Sequence, residues 1–201
     1  MIPTVRTAAQ IIDSPSPGRR LRRAGELHTD AVSIVRGRVV LFSGSAVLSL
    51  AASVARQYQI LFEAPLAWII AGKTIPYPPD LTAAAVELSR IVWISAPDRD
   101  DALAAVDTLL RSDAFPLVCL DAPWIDTVPP GLLARFMHRL RRSGNTLLLL
   151  TDTVPATPSP AIGYHIVSTE RDDGAVSLTV RRARTPLDND VWYADTAVPL
   201  S

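Results

Sequence analysis

Five short apolar runs separated by helical periodicity restrict this chain more than any other feature. They are Val39–Ser43, Leu66–Ala71, Ile91–Ser95, Leu117–Asp121 and Thr146–Thr151. A continuous apolar run is what a strand buried on both faces requires. Between the runs, apolar residues recur at helical spacing, as in Val47, Leu50, Ala51, Val54 and Tyr58. Strands alternating with helices predict a mostly parallel sheet with helices on both faces. The pattern then changes. Tyr164–Glu170 and Val176–Arg182 alternate polar and apolar residues across Arg171-Asp172-Asp173-Gly174, which predicts an antiparallel hairpin at the sheet's edge.

Local signals agree with this frame. Asp98 reads as an N-cap, with Asp100 and Asp101 in the first turn, where negative charge meets the helix dipole. Leu103, Val106, Leu109 and Leu110 form that helix's apolar stripe. Leu132, Leu133, Phe136, Met137 and Leu140 form the next one, and Gly144 is placed to end it. A short helix is expected over Leu81–Leu88, after the prolines at 76, 78 and 79.

The first strand, turn and helix have the layout of a phosphate-binding loop but not its residues. A P-loop needs Gly-x-x-x-x-Gly-Lys followed by Ser or Thr. Here Phe42-Ser43-Gly44-Ser45-Ala46 carries no lysine, and the turn is several residues short. Lys73 is the chain's only lysine. Gly72-Lys73-Thr74 imitates the end of a P-loop, but the earlier glycine is absent and three prolines follow in place of a helix. It reads as no phosphate site.

The formal charge is zero, so no global field recruits nucleic acid. No apolar stretch approaches the ~20 residues that cross a bilayer, and the N-terminus reads as having no secretory signal. A single cysteine, Cys119, excludes an intramolecular disulfide and falls in an apolar run that reads as core. These features predict a cytoplasmic protein. His28, His138 and His165 match no metal spacing, and no metal or cofactor is expected. His165, in the alternating segment, is expected to be partly exposed.

Residues 1–24 carry five arginines against one acid, Asp13, and form a basic arm, either solvated or a docking element through Arg19, Arg20, Arg22 and Arg23. Residues 25–184 form the core domain. Residues 185–201 form an acidic tail with Asp188, Trp192 and Tyr193.

Several segments in order resemble the RecA family: Gly37-Arg38-Val39-Val40-Leu41-Phe42-Ser43-Gly44, then Ala85-Val86-Glu87-Leu88-Ser89-Arg90-Ile91, then Leu117-Val118-Cys119-Leu120-Asp121, then Leu140 through Leu150. The resemblance covers about residues 25–184 and implies a RecA-like core. The small size and lost Walker A motif look most like the ImuA-type accessories of damage-induced mutagenesis, proteins grouped with SulA-type inhibitors of cell division. By this resemblance Gly44 and Ser45 occupy the degenerate Walker A turn, and Asp121 holds the Walker B position. Asp152 follows the fifth strand, where the family couples nucleotide state to DNA. The position of the family's catalytic carboxylate holds Ala71-Gly72. A RecA ATPase needs all of these groups, so the resemblance implies a non-catalytic protein that binds RecA or an error-prone polymerase assembly. A SulA-type inhibitor that binds a cytoskeletal GTPase is the second reading, and a nucleotide-binding enzyme the third. The segments matching the family's DNA loops, Ala122–Pro130 and Thr153–Ile162, contain no lysine or arginine, which implies weak or absent DNA binding. Trp124 falls at the carboxyl edge of the sheet, as a partner anchor or as a packing residue.

Overall fold

A computed structural model describes residue 32 and residues 35–71, 78–170, 176–182 and 190–194. The strands are β1 (Val39–Gly44), β2 (Leu66–Ile70), β3 (Ile91–Ser95), β4 (Leu117–Asp121), β5 (Thr146–Thr151), β6 (Tyr164–Glu170), β7 (Val176–Arg182) and β8 (Asp190–Ala194). The helices are α1 (Val47–Leu61), α2 (Pro78–Ala83), α3 (Arg99–Ser112) and α4 (Pro130–Ser143), with 3-10 turns at Leu88–Arg90 and Ile125–Thr127. All eight strands join one sheet in the order β3-β2-β4-β5-β1-β6-β7-β8. Strands β1 to β6 are mutually parallel, and β7 runs antiparallel to both of its neighbours. The fold is the expected α/β class, a mostly parallel sheet with helices on both faces and a C-terminal antiparallel hairpin, an arrangement consistent with a RecA-like fold.

The period of two along each strand divides the core into halves. Val40 and Phe42 of β1 pack with Leu50, Val54 and Tyr58 of α1. Val39 and Leu41 point the other way, into a cluster with Val106 of α3 and Leu133 and Phe136 of α4. Central strands covered on both sides must be apolar at every position, and β5 is buried throughout its length. Cys119 lies in this core, where burial pushes its thiol well above the usual range.

The helix ends follow the sequence. The Asp98 carboxylate accepts the Asp101 N–H at 2.8 Å, capping α3. Gly144, at φ +79, ends α4, and its N–H donates to the Leu140 carbonyl at 2.8 Å. Two expectations need correction. The helix expected over Leu81–Leu88 is instead α2, which starts at Pro78 and stops at Ala83. Ala85 is left-handed, with φ 60, and the chain turns there as the Val86 N–H reaches back to the Leu81 carbonyl. Within the segment read as a tail, Asp190–Ala194 pairs with β7 as β8. No alternation of polar and apolar residues in Asp-Val-Trp-Tyr-Ala announces a strand.

One buried polar chain ties α1 to the start of β5 and to the segment before β1. The Tyr58 hydroxyl and Thr146 Oγ1 are 2.6 Å apart, and Thr146 Oγ1 also donates to the Val35 carbonyl at 3.1 Å. Burial outweighs the Thr146 hydrogen bond and pushes the Tyr58 phenol up to about 12.

Candidate functional site

β1 delivers Gly44 to the carboxyl edge of the sheet, and only Ser45 and Ala46 separate it from α1. This turn is tied to β6. The Ser45 N–H donates to the Ser168 carbonyl at 3.3 Å, and the Ala46 N–H donates to Ser168 Oγ at 2.9 Å. The Ser168 hydroxyl in turn donates to the Ser43 carbonyl at 3.0 Å. Gly44 has φ +101, and a Cβ there would stand 1.9 Å from the Ser168 carbonyl oxygen. Only glycine meets both conditions. In a P-loop the turn N–H groups point at phosphate. Here two of them are taken by one serine of the neighbouring strand.

Asp121 ends β4, and Asp152 follows β5, its parallel neighbour. Burial, and then the nearby Asp152 carboxylate, raise the Asp121 carboxyl to about 6. Asp152 itself is exposed. The two acids predicted to share the degenerate site therefore do lie close enough to interact. They repel one another, and any phosphate as well.

His165 is a correction. It is fully buried, not partly exposed, and its Nε2 is 2.7 Å from Ser43 Oγ, which is also fully buried. Parallel pairing with β1 puts β6 inside the sheet, and Ala161 and Ile162 pack on the cluster that covers this face. A serine and a histidine in contact resemble a nucleophile and its base, but neither has a surface for substrate to reach. The pair is a structural cross-link between strands.

Trp124 stands where the sequence put it, in the connection leaving β4. It is half-buried, packed on the α3 and α4 side of the core, and borders an open groove of about 440 Å³ with Asp98, Arg99 and Thr127. The segment Ala122–Pro130 is drawn inward by buried Ile125 and Val128. Arg19, Arg20, Arg22, Arg23 and Asp188 lie outside the described residues, as do Gly72-Lys73-Thr74 and the hairpin turn. Trp192 and Tyr193 belong to β8, in register with Leu178 and Ser177. Among the described residues, no cluster of three or more His, Cys, Asp or Glu side chains could hold a metal ion, and no helix is long and apolar enough to cross a membrane.

Sequence reasoning missed Ser168, whose partners are more than a hundred residues away in the chain, so no local pattern marks it. It also missed the character of β3. As the edge strand it has one neighbour, β2. Val92 is 41% exposed and Trp93 37%, on opposite faces, although Trp93 stacks on buried Trp68 at 5.6 Å. The apolar run Ile-Val-Trp-Ile suggests a central strand, and only the strand order reveals an edge.

A comparison with curated proteins found no match. A sequence model of the family described as the MT3502 N-terminal domain matches residues 23–156, which is more than half of the chain and spans β1 to β5. The match stops short of β6, the strand that supplies Ser168 and His165. The chain belongs to the MT3502 N-terminal domain family.

Proposed function

We propose that this protein is a non-catalytic RecA-like accessory of the ImuA type. It acts in the cytoplasm, in the DNA-damage response and translesion mutagenesis, by binding RecA or an error-prone polymerase assembly. One observation carries the reading: at the end of β1, Ser168 takes up the turn N–H groups that a RecA ATPase would offer to phosphate. The turn also lacks a lysine, and the Asp121 and Asp152 carboxylates oppose an anion. A core that keeps a protomer's shape without its chemistry can occupy a protomer's place without turning over, through a heterologous interface.

The β3 edge supports a partner-binding role. An uncovered apolar edge strand is an aggregation hazard that monomeric proteins blunt with charge, proline or a cover. Among the described residues β3 has none of these within its span. An extended segment of a partner can add to it as a further strand. Direct DNA contact is not part of the reading, because the connections after β4 and β5 are without cations.

Pull-down of purified RecA, mutagenesis polymerase components and a cell-division GTPase with the full chain tests the proposal. RecA or the polymerase assembly is expected to bind without added nucleotide. Capture of the GTPase alone would establish the SulA-type reading instead.

A further inference from the structure

Between α3 and α4 runs an open groove of about 460 Å³, with Leu103 and Leu132 in its lining. On its rim one carboxylate meets three guanidinium groups. Asp107 forms ion pairs with Arg111 at 2.7 Å and Arg139 at 2.5 Å, and a longer one with Arg135 at 3.6 Å. The three arginines are not equivalent. The Arg139 side chain is mostly buried and also donates to the Asp107 carbonyl at 3.4 Å, so it joins the two helices. Arg111 and Arg135 are 64% and 56% exposed. Each carries five N–H donors in a planar fork, and one carboxylate cannot accept them all. The rim thus has two exposed cations in excess, set beside an apolar floor.

We propose that this groove docks an acidic peptide segment of a partner protein, with its carboxylates on Arg111 and Arg135 and an apolar side chain against Leu103 and Leu132. Charge complementarity selects an anion, and the apolar floor selects a peptide over a nucleic acid. A phosphate backbone is a continuous row of charge, and along α3 it would run from Asp107 towards Asp98, Asp100 and Asp101, the last three all exposed. A peptide places only a few carboxylates and can keep them at the arginine end. Bidentate pairing of guanidinium with carboxylate gives the contact its geometry. This docking does not rest on the function proposed above, since it holds for any partner bearing such a segment.

Fluorescence anisotropy of the full chain with a labelled peptide alternating Glu and Leu tests it. The comparators are the same peptide with Gln or Lys in place of Glu, and a single-stranded oligonucleotide. The Glu peptide is expected to bind more tightly than the Gln peptide by about tenfold or more, and to weaken as salt rises. The double variant Arg111→Glu, Arg135→Glu keeps Arg139, and its thermal melt checks that it folds. It is expected to lose about tenfold or more for the Glu peptide and to gain the Lys peptide. Leu132→Ser is expected to weaken the Glu peptide without restoring the Gln peptide. Equal binding of the Glu peptide by parent and double variant, or none by the parent at low salt, overturns the proposal. An oligonucleotide bound more tightly than the peptide and lost in the double variant reassigns the groove to nucleic acid.

Discussion

Gly44 and Ser168 meet backbone to backbone, so closely that a single methyl group on Gly44 would lie 1.9 Å from the Ser168 carbonyl oxygen. Gly44→Ala therefore brings a severe clash together with left-handed backbone strain, and is expected to cost about 3 kcal/mol or more. Ser168→Ala removes the hydroxyl that serves the Ala46 N–H and the Ser43 carbonyl, for about 2 kcal/mol. Urea unfolding midpoints measure both. Calorimetry with ATP and Mg²⁺ should give no tight binding for the parent or for Ser168→Ala, because freeing the turn N–H groups does not supply the missing cation.

Asp121 makes stability depend on pH. Its carboxyl titrates at about 6 in the fold, against an ordinary value of 3.8. A raised carboxyl pKa stabilises the fold fully below pH 3.8, and this stabilisation is lost as pH rises through about 6. Asp121→Asn, which stays neutral throughout, should equal the parent at the acid end and exceed it above pH 6. The gain is about 1 kcal/mol, because solvent screens the partly exposed group. Unfolding curves across this window read it directly. A variant less stable than the parent at neutral pH would mean that Asp121 has a favourable partner.

Tyr58 and Thr146 separate the cost of losing a bond from the cost of stranding a group. Tyr58→Phe leaves Thr146 Oγ1 still bonded to the Val35 carbonyl, and should cost about 1 kcal/mol. Thr146→Val leaves both the buried phenol and the Val35 carbonyl without that partner, and should cost about 2–3 kcal/mol. Chemical denaturation of the two variants gives the comparison. The order reverses if the phenol finds another acceptor.

Trp93 tests the β3 edge. Trp93→Lys puts charge on an edge strand and gives up the stack on Trp68, a cost of about 1–2 kcal/mol in stability. Partner capture in the pull-down should fall by about tenfold or more at a temperature where the melt shows the variant still folded. Undiminished capture would remove β3 from the interface.

The strands and caps were readable in the chain because their causes are local. A strand covered on both faces must be apolar at each position, and Leu147-Leu148-Leu149-Leu150 is. A helix end needs a side chain that accepts an N–H or a residue that tolerates positive φ, and Asp98 and Gly144 supply these. The absence of a P-loop signature was readable for the same reason, since a missing lysine is missing in any fold. What occupies the turn after β1 was decided only when β6 came to lie parallel to β1, bringing Ser168 to Gly44 and burying His165 against Ser43. The same holds for the exposure of β3 and for the arginines that gather on Asp107. Strand order and helix packing are set by contacts between residues far apart in the chain, and such contacts leave no periodic trace in the segments that make them.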